Sequence, residues 1–208
     1  KARQTAGQVI LMPALSAGAA NVLSILASND GVDFTSLASE TWIPPGGVLR
    51  DPALVRHSDG RYYLAYANGA AGVGLARSSN LRQWEFVRDL PAGGAGGAVR
   101  PGWVRDRDGR LHLVLASDRG AQVVTPDAAL KDWPAARPLE GLAGHAGAVV
   151  LADGDGYLGL ARAPQGGQLV LVRASALAGP WRVEATLAGF GKDVTPYALV
   201  RHGSALRL

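Results

Sequence analysis

The sequence predicts an all-β protein, a β-propeller built from four-stranded blades. Three observations carry that expectation: a unit recurring about every fifty residues, a hairpin signature at the start of most units, and no helical periodicity over any useful window. An aromatic residue ends each unit at Phe34, Trp84, Trp133 and Trp181, so the intervals are 50, 49 and 48 residues.

Taken in order, residues 8–38 read as the second, third and fourth strands of a unit without a recognisable first. The next unit opens with Leu49 to Arg56 and turns at Asp59-Gly60 into the alternating Arg61 to Tyr66. The third turns at Asp108-Gly109 into Arg110 to Leu115, and the fourth at Asp155-Gly156 into Tyr157 to Ala161. Asp-Gly supplies the positive φ of a tight hairpin turn, and period-two alternation buries one face of each strand. Third strands follow at Gly72 to Arg77, Ala121 to Val124 and Gln168 to Arg173, then a polar bend and a fourth strand opening near the Trp. The last segment, Asp193 to His202, reads as a first strand, complementing the first unit. Together they predict one blade shared by both termini, a single domain over residues 1–208 and four blades in all. In the alternative, Ser204 to Leu208 begin the second strand of a further blade.

Composition narrows the function classes. With 48% hydrophobic and 18% charged residues over 208 positions, the chain is too apolar and too weakly charged for disorder. No apolar run is long enough for a membrane helix. The absence of Cys excludes a disulfide scaffold, a zinc ribbon and a thiol nucleophile. The pI near 9.8 comes from arginines scattered singly, Arg50, Arg56, Arg61, Arg77, Arg82 and Arg88 among them, with no basic stripe for nucleic acid. Lys1-Ala2-Arg3, Val9 to Met12 and Ser16 to Ala20 resemble the three regions of a signal peptide. Pro13 interrupts them, however, and the segment fits the repeat.

The unit Leu49-Arg50-Asp51-Pro52, then Asp59-Gly60-Arg61-Tyr62-Tyr63-Leu64, then Ser78-Ser79-Asn80-Leu81-Arg82-Gln83-Trp84 resembles a blade of the glycoside hydrolase family 43 superfamily. Ser28-Asn29-Asp30-Gly31 and Leu177-Ala178-Gly179-Pro180-Trp181 are similar to other bends of that family. The resemblance implies a propeller, usually five-bladed and longer than this chain. It also implies inverting hydrolysis of arabinosides or xylosides in an axial pocket, an oligosaccharide ligand and a secreted or periplasmic location. Inversion needs one carboxylate to activate water and another to protonate the leaving oxygen, roughly 6.5 to 9.5 Å apart.

Carried over by motif, Asp51 falls on the family's general base. Where relatives read Ala-Pro-Glu this chain reads Arg100-Pro101-Gly102, and where they read Ile-Asp it reads His145-Ala146-Gly147, so two carboxylates are unmatched. At the general-acid blade Val194-Thr195-Pro196 replaces Glu-Gly-Pro, leaving Asp193 one residue early, on the pocket face only if a bulge intervenes. Arg50 and Arg100 are expected at the pocket rim. Trp42 and Trp103 break the repeat and are candidates for stacking on a sugar ring, while Trp84, Trp133 and Trp181 are expected as packing anchors. His145 is a candidate ligand-binding residue, with a structural histidine as its alternative. His57, His112 and His202 fall at unrelated repeat positions and form no metal constellation. No glycine pair opens a helix as a nucleotide loop would, so no cofactor is expected. The bend at Ser28 to Phe34 also approximates the aspartate box of sialidases, which are larger. Two functions follow: a glycoside hydrolase similar to family 43, or a catalytically degenerate propeller that binds carbohydrate or serves as a scaffold.

Overall fold

The computed structural model describes residues 9–16, 18–69, 72–91, 99–165, 167–191, 194–202 and 205–207. Its strands form five antiparallel sheets in chain order. The first has three strands, β1 (Ile10–Ser16), β2 (Ala19–Ser28) and β3 (Thr35–Trp42). The second holds β4 (Arg50–Arg56), β5 (Tyr62–Ala67), β6 (Gly72–Ser78) and β7 (Glu85–Pro91). The third holds β8 (Arg100–Arg105), β9 (Leu111–Ser117), β10 (Gly120–Val124) and β11 (Arg137–Pro138), and the fourth β12 (Ala146–Asp153), β13 (Gly156–Arg162), β14 (Leu169–Ala174) and β15 (Arg182–Thr186). A ribbon of β16 (Val200–His202) and β17 (Ala205–Arg207) follows.

Each four-stranded sheet is a blade, and the fold is the expected β-propeller. The first strands of successive blades, β4, β8 and β12, lie beside one another along the axis. Blades pack face to face. Leu23, Ile25 and Ala38 of the first sheet meet Leu64, Tyr66 and Ala76 of the second; Ala65 and Val73 meet Leu113 and Leu115 of the third; Val114 and Ala116 meet Val150, Val172 and Trp181 around the fourth.

The repeat signals have local causes. Gly60 and Gly109 take φ of 84° and 82° in turns closed by the same two bonds, His57 N–H to Arg61 O with Gly60 N–H to His57 O, and Asp106 N–H to Arg110 O with Gly109 N–H to Asp106 O. In the fourth blade the turn lies one residue earlier than its sequence suggests: Asp153 pairs with Gly156, and Gly154 holds the positive φ of 56°. The expected anchors behave as anchors. The indole N–H groups of Trp84, Trp133 and Trp181 donate to the carbonyls of Leu81, Leu130 and Leu177 at 3.2, 3.0 and 2.9 Å, tying each bend to the ring that packs beneath it.

The three strands read in the first unit form, and among the described residues of the last segment Val200–His202 is strand. The first sheet contains three strands, and β16 pairs with β17 rather than with β1 among the described residues. That is the pairing of the alternative in which the chain's end starts a second strand. The fourth strand of the third blade is cut to two residues, one of them Pro138, with Pro134 three residues before it; neither proline has an N–H to give a ladder.

Candidate functional site

Where β4 begins, its register slips. Arg50 pairs with Ala67 and Ala53 with Ala65, so Asp51 and Pro52 together oppose one residue, Tyr66. This is a β-bulge, and its first residue, Asp51, has φ of 45°. Asp tolerates that left-handed region better than most residues, though still at a cost, and such strain gathers at functional sites. Asp51 is half-buried, and its carboxylate has no hydrogen bond or ion pair among the described residues. Tyr66, opposite the bulge, is 1% exposed, and burial, with Asp89 adding, pushes its hydroxyl up to about 12.

The same bulge recurs in the fourth blade. Ala146 pairs with Arg162 and Val149 with Leu160, leaving Gly147 with φ of 60° where β4 has Asp51. The third blade lacks it. Arg100 pairs with Ala116, level with the Arg50–Ala67 pair, and the ladder runs on without a slip through Pro101. β8 therefore carries one residue where β4 carries Asp51 and Pro52. β8 has neither the bulge nor an acid at this place.

Arg100 reaches across this end of the propeller. Its guanidinium carbon stands 5.3 Å from the centroid of the Tyr197 ring, and its Nη1 lies 3.1 Å from where a Cβ on Gly147 would stand. A Cβ there would also come within 2.7 Å of the Thr195 methyl, so only glycine fits. Three buried nitrogens near this point have no hydrogen-bond partner: Arg100 Nη1, His145 Nδ1 and Arg162 Nε. His145 directly precedes Ala146, and its backbone N–H donates to Leu142 O at 3.1 Å. Arg50 is exposed.

The structure thus gathers Arg50, Asp51, Arg100 and His145 at the starts of the inner strands. It places the two tryptophans elsewhere. Trp103 lies three residues along β8 from Arg100, roughly 10 Å at strand rise, packed edge-on to Trp133 with centroids 6.1 Å apart. It lines a cavity of about 540 Å³ at the opposite end of the inner strands, together with Leu54 to Arg56 and Val150 to Ala152. Trp42 packs edge-on against buried Tyr66 at 5.6 Å, at the border of the first core. The exposed aromatic near Arg100 is instead Tyr197, 69% exposed. The sequence signal that could have found it is its place directly after Thr195-Pro196. Arg162 was legible only through its pairing with Ala146.

Asp193 lies outside the described residues. On the described starts of the inner strands and on residues 194–199, Asp51 is the one acid. Several acids elsewhere are engaged. Asp106 and Thr125 hold the ring of His112 between them at 3.1 and 2.8 Å; burial pushes Asp106 up, but the bonds from His112 and the Arg110 N–H outweigh it and leave the group below its ordinary value. Asp153 pairs with Arg173 and Arg201, Glu85 with Arg77 at 2.9 Å, and Asp30 and Asp127 cap bends through backbone N–H groups. No three His, Asp or Glu side chains gather to hold a metal among the described residues.

No family model matches the sequence, and no curated protein matches it. Solved structures do resemble it. An exo-β-1,3-galactanase from Clostridium thermocellum superposes with a TM-score of 0.73 at 14% identity, covering 93% of this chain and 49% of that one. An exo-β-1,3-galactanase from Phanerochaete chrysosporium, solved with β-1,3-galactotriose, gives 0.68 at 18% identity over 88% of this chain and 48% of that one. An α-L-arabinofuranosidase of family 43 from Clostridium thermocellum gives 0.64 at 14% identity over 89% and 69%. The chain spans about half the length of the galactanase structures. At these identities the likeness speaks for architecture: the chain has the fold of the glycoside hydrolase family 43 propellers.

Proposed function

We propose that the chain is a glycoside hydrolase-like propeller that binds oligosaccharides at the Asp51 end of its inner strands, as the degenerate relative of an inverting glycosidase. The observation that supports this reading is the solitary state of Asp51. A bulge sets Asp51 out of the regular strand ladder and no described neighbour pairs with its carboxylate, while no second carboxylate accompanies it on the described starts of the inner strands. Inversion needs an acid and a base across the scissile bond, whereas binding needs only hydrogen-bonding groups and an aromatic face, which Asp51, Arg100, His145 and Tyr197 supply.

Hydrolysis of arabinose- or xylose-type glycans is the second reading. The unpartnered, strained Asp51 favours it, since a general base requires a carboxylate free to take a proton from water, and its proton donor would be Asp193. The galactanase neighbours add galactosides to the sugars worth testing. The experiment measures hydrolysis of aryl arabinofuranosides, xylosides and galactosides, and binding of the matching oligosaccharides, by the wild type and Asp51→Asn. Binding without turnover supports the degenerate propeller. Turnover abolished in Asp51→Asn supports the hydrolase. Neither binding nor turnover refutes both.

A further inference from the structure

We infer that the chain has a second ligand site, at the end of the inner strands opposite Asp51, and that it takes a small amphipathic anion. The apolar chain of this ligand lies between the strands, and its anionic head is held at the mouth by Arg56 and Arg105. The inference stands on observations of its own and is independent of the glycan-binding reading above.

A motif inside the repeat carries it. Leu54-Val55-Arg56 and Trp103-Val104-Arg105 end β4 and β8, and Leu199-Val200-Arg201 runs into β16. Val150-Leu151-Ala152 stands at the same place in β12, so the last members are spaced by 49, 47 and 49 residues. All four segments line the cavity of about 540 Å³, a size within the range of small-molecule pockets. Period-two alternation puts Leu54 on the same face as Arg56, and Trp103 on the same face as Arg105, with the apolar member about 7 Å nearer the middle of the propeller. The cavity is thus apolar inside and cationic at its mouth. Its walls are open: Val9 and Val200 are exposed, and Leu54, Trp103 and Leu151 are half-buried. Apolar surface gathered in a concave place marks a ligand groove.

The charge at the mouth is uncompensated. Among the described residues no acid lines the cavity. Arg105 donates to the carbonyls of Gly109, at 3.0 Å, and of Arg56, while the Arg56 guanidinium carbon stands 5.8 Å from the centroid of the Tyr62 ring. Carbonyls and a ring face leave both positive charges standing, and the bond from Arg105 to the Arg56 backbone sets the two residues side by side across neighbouring blades. Both are exposed, and a guanidinium has five N–H donors, so each keeps donors for an anion. Arg201 differs, because it pairs with Asp153, which also holds Arg173. Ala152, at the fourth place, brings neither charge nor bulk to the mouth. An apolar chain ending in one anionic head satisfies both the walls and the arginines.

The test is calorimetry on the full chain with octanoate, octyl sulfate, octan-1-ol and acetate. At least one of the two amphipathic anions should bind about tenfold more tightly than octan-1-ol, the low end of a hydrogen bond to a charged group, and the tighter of the two identifies the head. Each methylene removed from the chain should weaken binding by about fourfold. The advantage over octan-1-ol should shrink as salt rises and disappear when Arg56→Gln and Arg105→Gln are combined, with octan-1-ol binding unchanged. Should that double variant not fold, Ala152→Glu serves instead: it sets a carboxylate at the mouth and should cut binding of the anions about tenfold while sparing octan-1-ol. Equal binding of the anions and octan-1-ol overturns the inference, as does acetate binding as tightly as octanoate, which marks a simple anion site. An advantage that survives these substitutions overturns it by placing the anion elsewhere. No binding in a chain that sediments as a dimer overturns it in favour of a second copy over the cavity, and no binding in a monomer overturns it outright. Oligosaccharide binding at the Asp51 end should be the same with octanoate present, so either reading can fail alone.

Discussion

Asp51 and Gly147 occupy the same place in two blades. Each is the first residue of a bulge one step into an inner strand, each has positive φ, 45° and 60°, and each follows the residue that makes the last regular pair, Arg50 with Ala67 and Ala146 with Arg162. The backbone device that presents a side chain to the axis is therefore built twice, and it carries a carboxylate once. The third blade, between them, lacks the device: Arg100 is followed by Pro101 in unbroken register. The two blades without an acid at this place differ in backbone: β8 runs without the bulge, and β12 keeps it with glycine as its first residue.

Asp51, the one acid on this device among the described residues, is the residue to probe first. Asp51→Asn keeps a side chain that tolerates the left-handed region, so its melting temperature should stay close to that of the wild type. Asp51→Val puts a β-branched residue at φ of 45° and should cost about 1–3 kcal/mol. Thermal melts of both variants check this; equal losses in the two would mean that the carboxylate, rather than the backbone, matters to the fold.

Gly147 should be nearly irreplaceable. A Cβ would meet the Thr195 methyl at 2.7 Å and Arg100 Nη1 at 3.1 Å, so Gly147→Ala combines overpacking with positive φ and should destabilise by roughly 1–3 kcal/mol. Thr195→Ser removes the methyl, and the double variant should recover part of the loss. A double-mutant cycle on denaturation midpoints measures the coupling. Strict additivity would show that the contact is not what excludes a side chain.

Much of this was legible in the sequence, and the limits have physical causes. Asp-Gly turns and the Trp bends are local signals, fixed by positive φ and by bonds within a few residues, so the repeat exposed them. Asp51, Arg50, Arg100 and His145 could be found because they open inner strands. Breaking a repeat does not say which end of a strand a ring occupies: Trp103 sits three residues along β8 from Arg100, and Trp42 packs edge-on against Tyr66. Tyr197 was marked in the sequence only by its place directly after Thr195-Pro196, and Arg162 gains its meaning from its pairing with Ala146, which no spacing along the chain encodes. Strand pairing at the two ends is likewise a non-local choice, and among the described residues β16 pairs with β17.

The tryptophans should separate by experiment. Trp181 is 3% exposed within the largest core cluster, and Trp181→Ala should cost about 3–5 kcal/mol. The indole N–H of Trp103 is buried without a partner, so Trp103→Phe removes an unsatisfied donor and should change stability by no more than about 1 kcal/mol. It should also leave glycan affinity unaltered, because the ring lies at the far end of β8. Chemical denaturation and binding on the same samples decide it, and a large loss of affinity in Trp103→Phe would return that ring to the site.

The acid limb of stability should carry the mark of one bend. Asp30 accepts the Val32 and Asp33 N–H groups and the Ser28 hydroxyl, which together hold its carboxyl down to about 2. A carboxyl lowered on folding stabilises the protein above its unfolded value, and that contribution is lost as pH falls from about 4 towards 2. The second blade shows the neutral counterpart, where Asn80 accepts the Arg82 and Gln83 N–H groups in the same pattern. Asp30→Asn should therefore keep the bend at neutral pH and remove its titration, so that melting temperature falls less steeply between pH 4 and 2 than in the wild type. Other carboxylates titrate alike in both proteins and cancel in the comparison; parallel curves would show that the bend holds no more tightly to the charged form than the unfolded chain does.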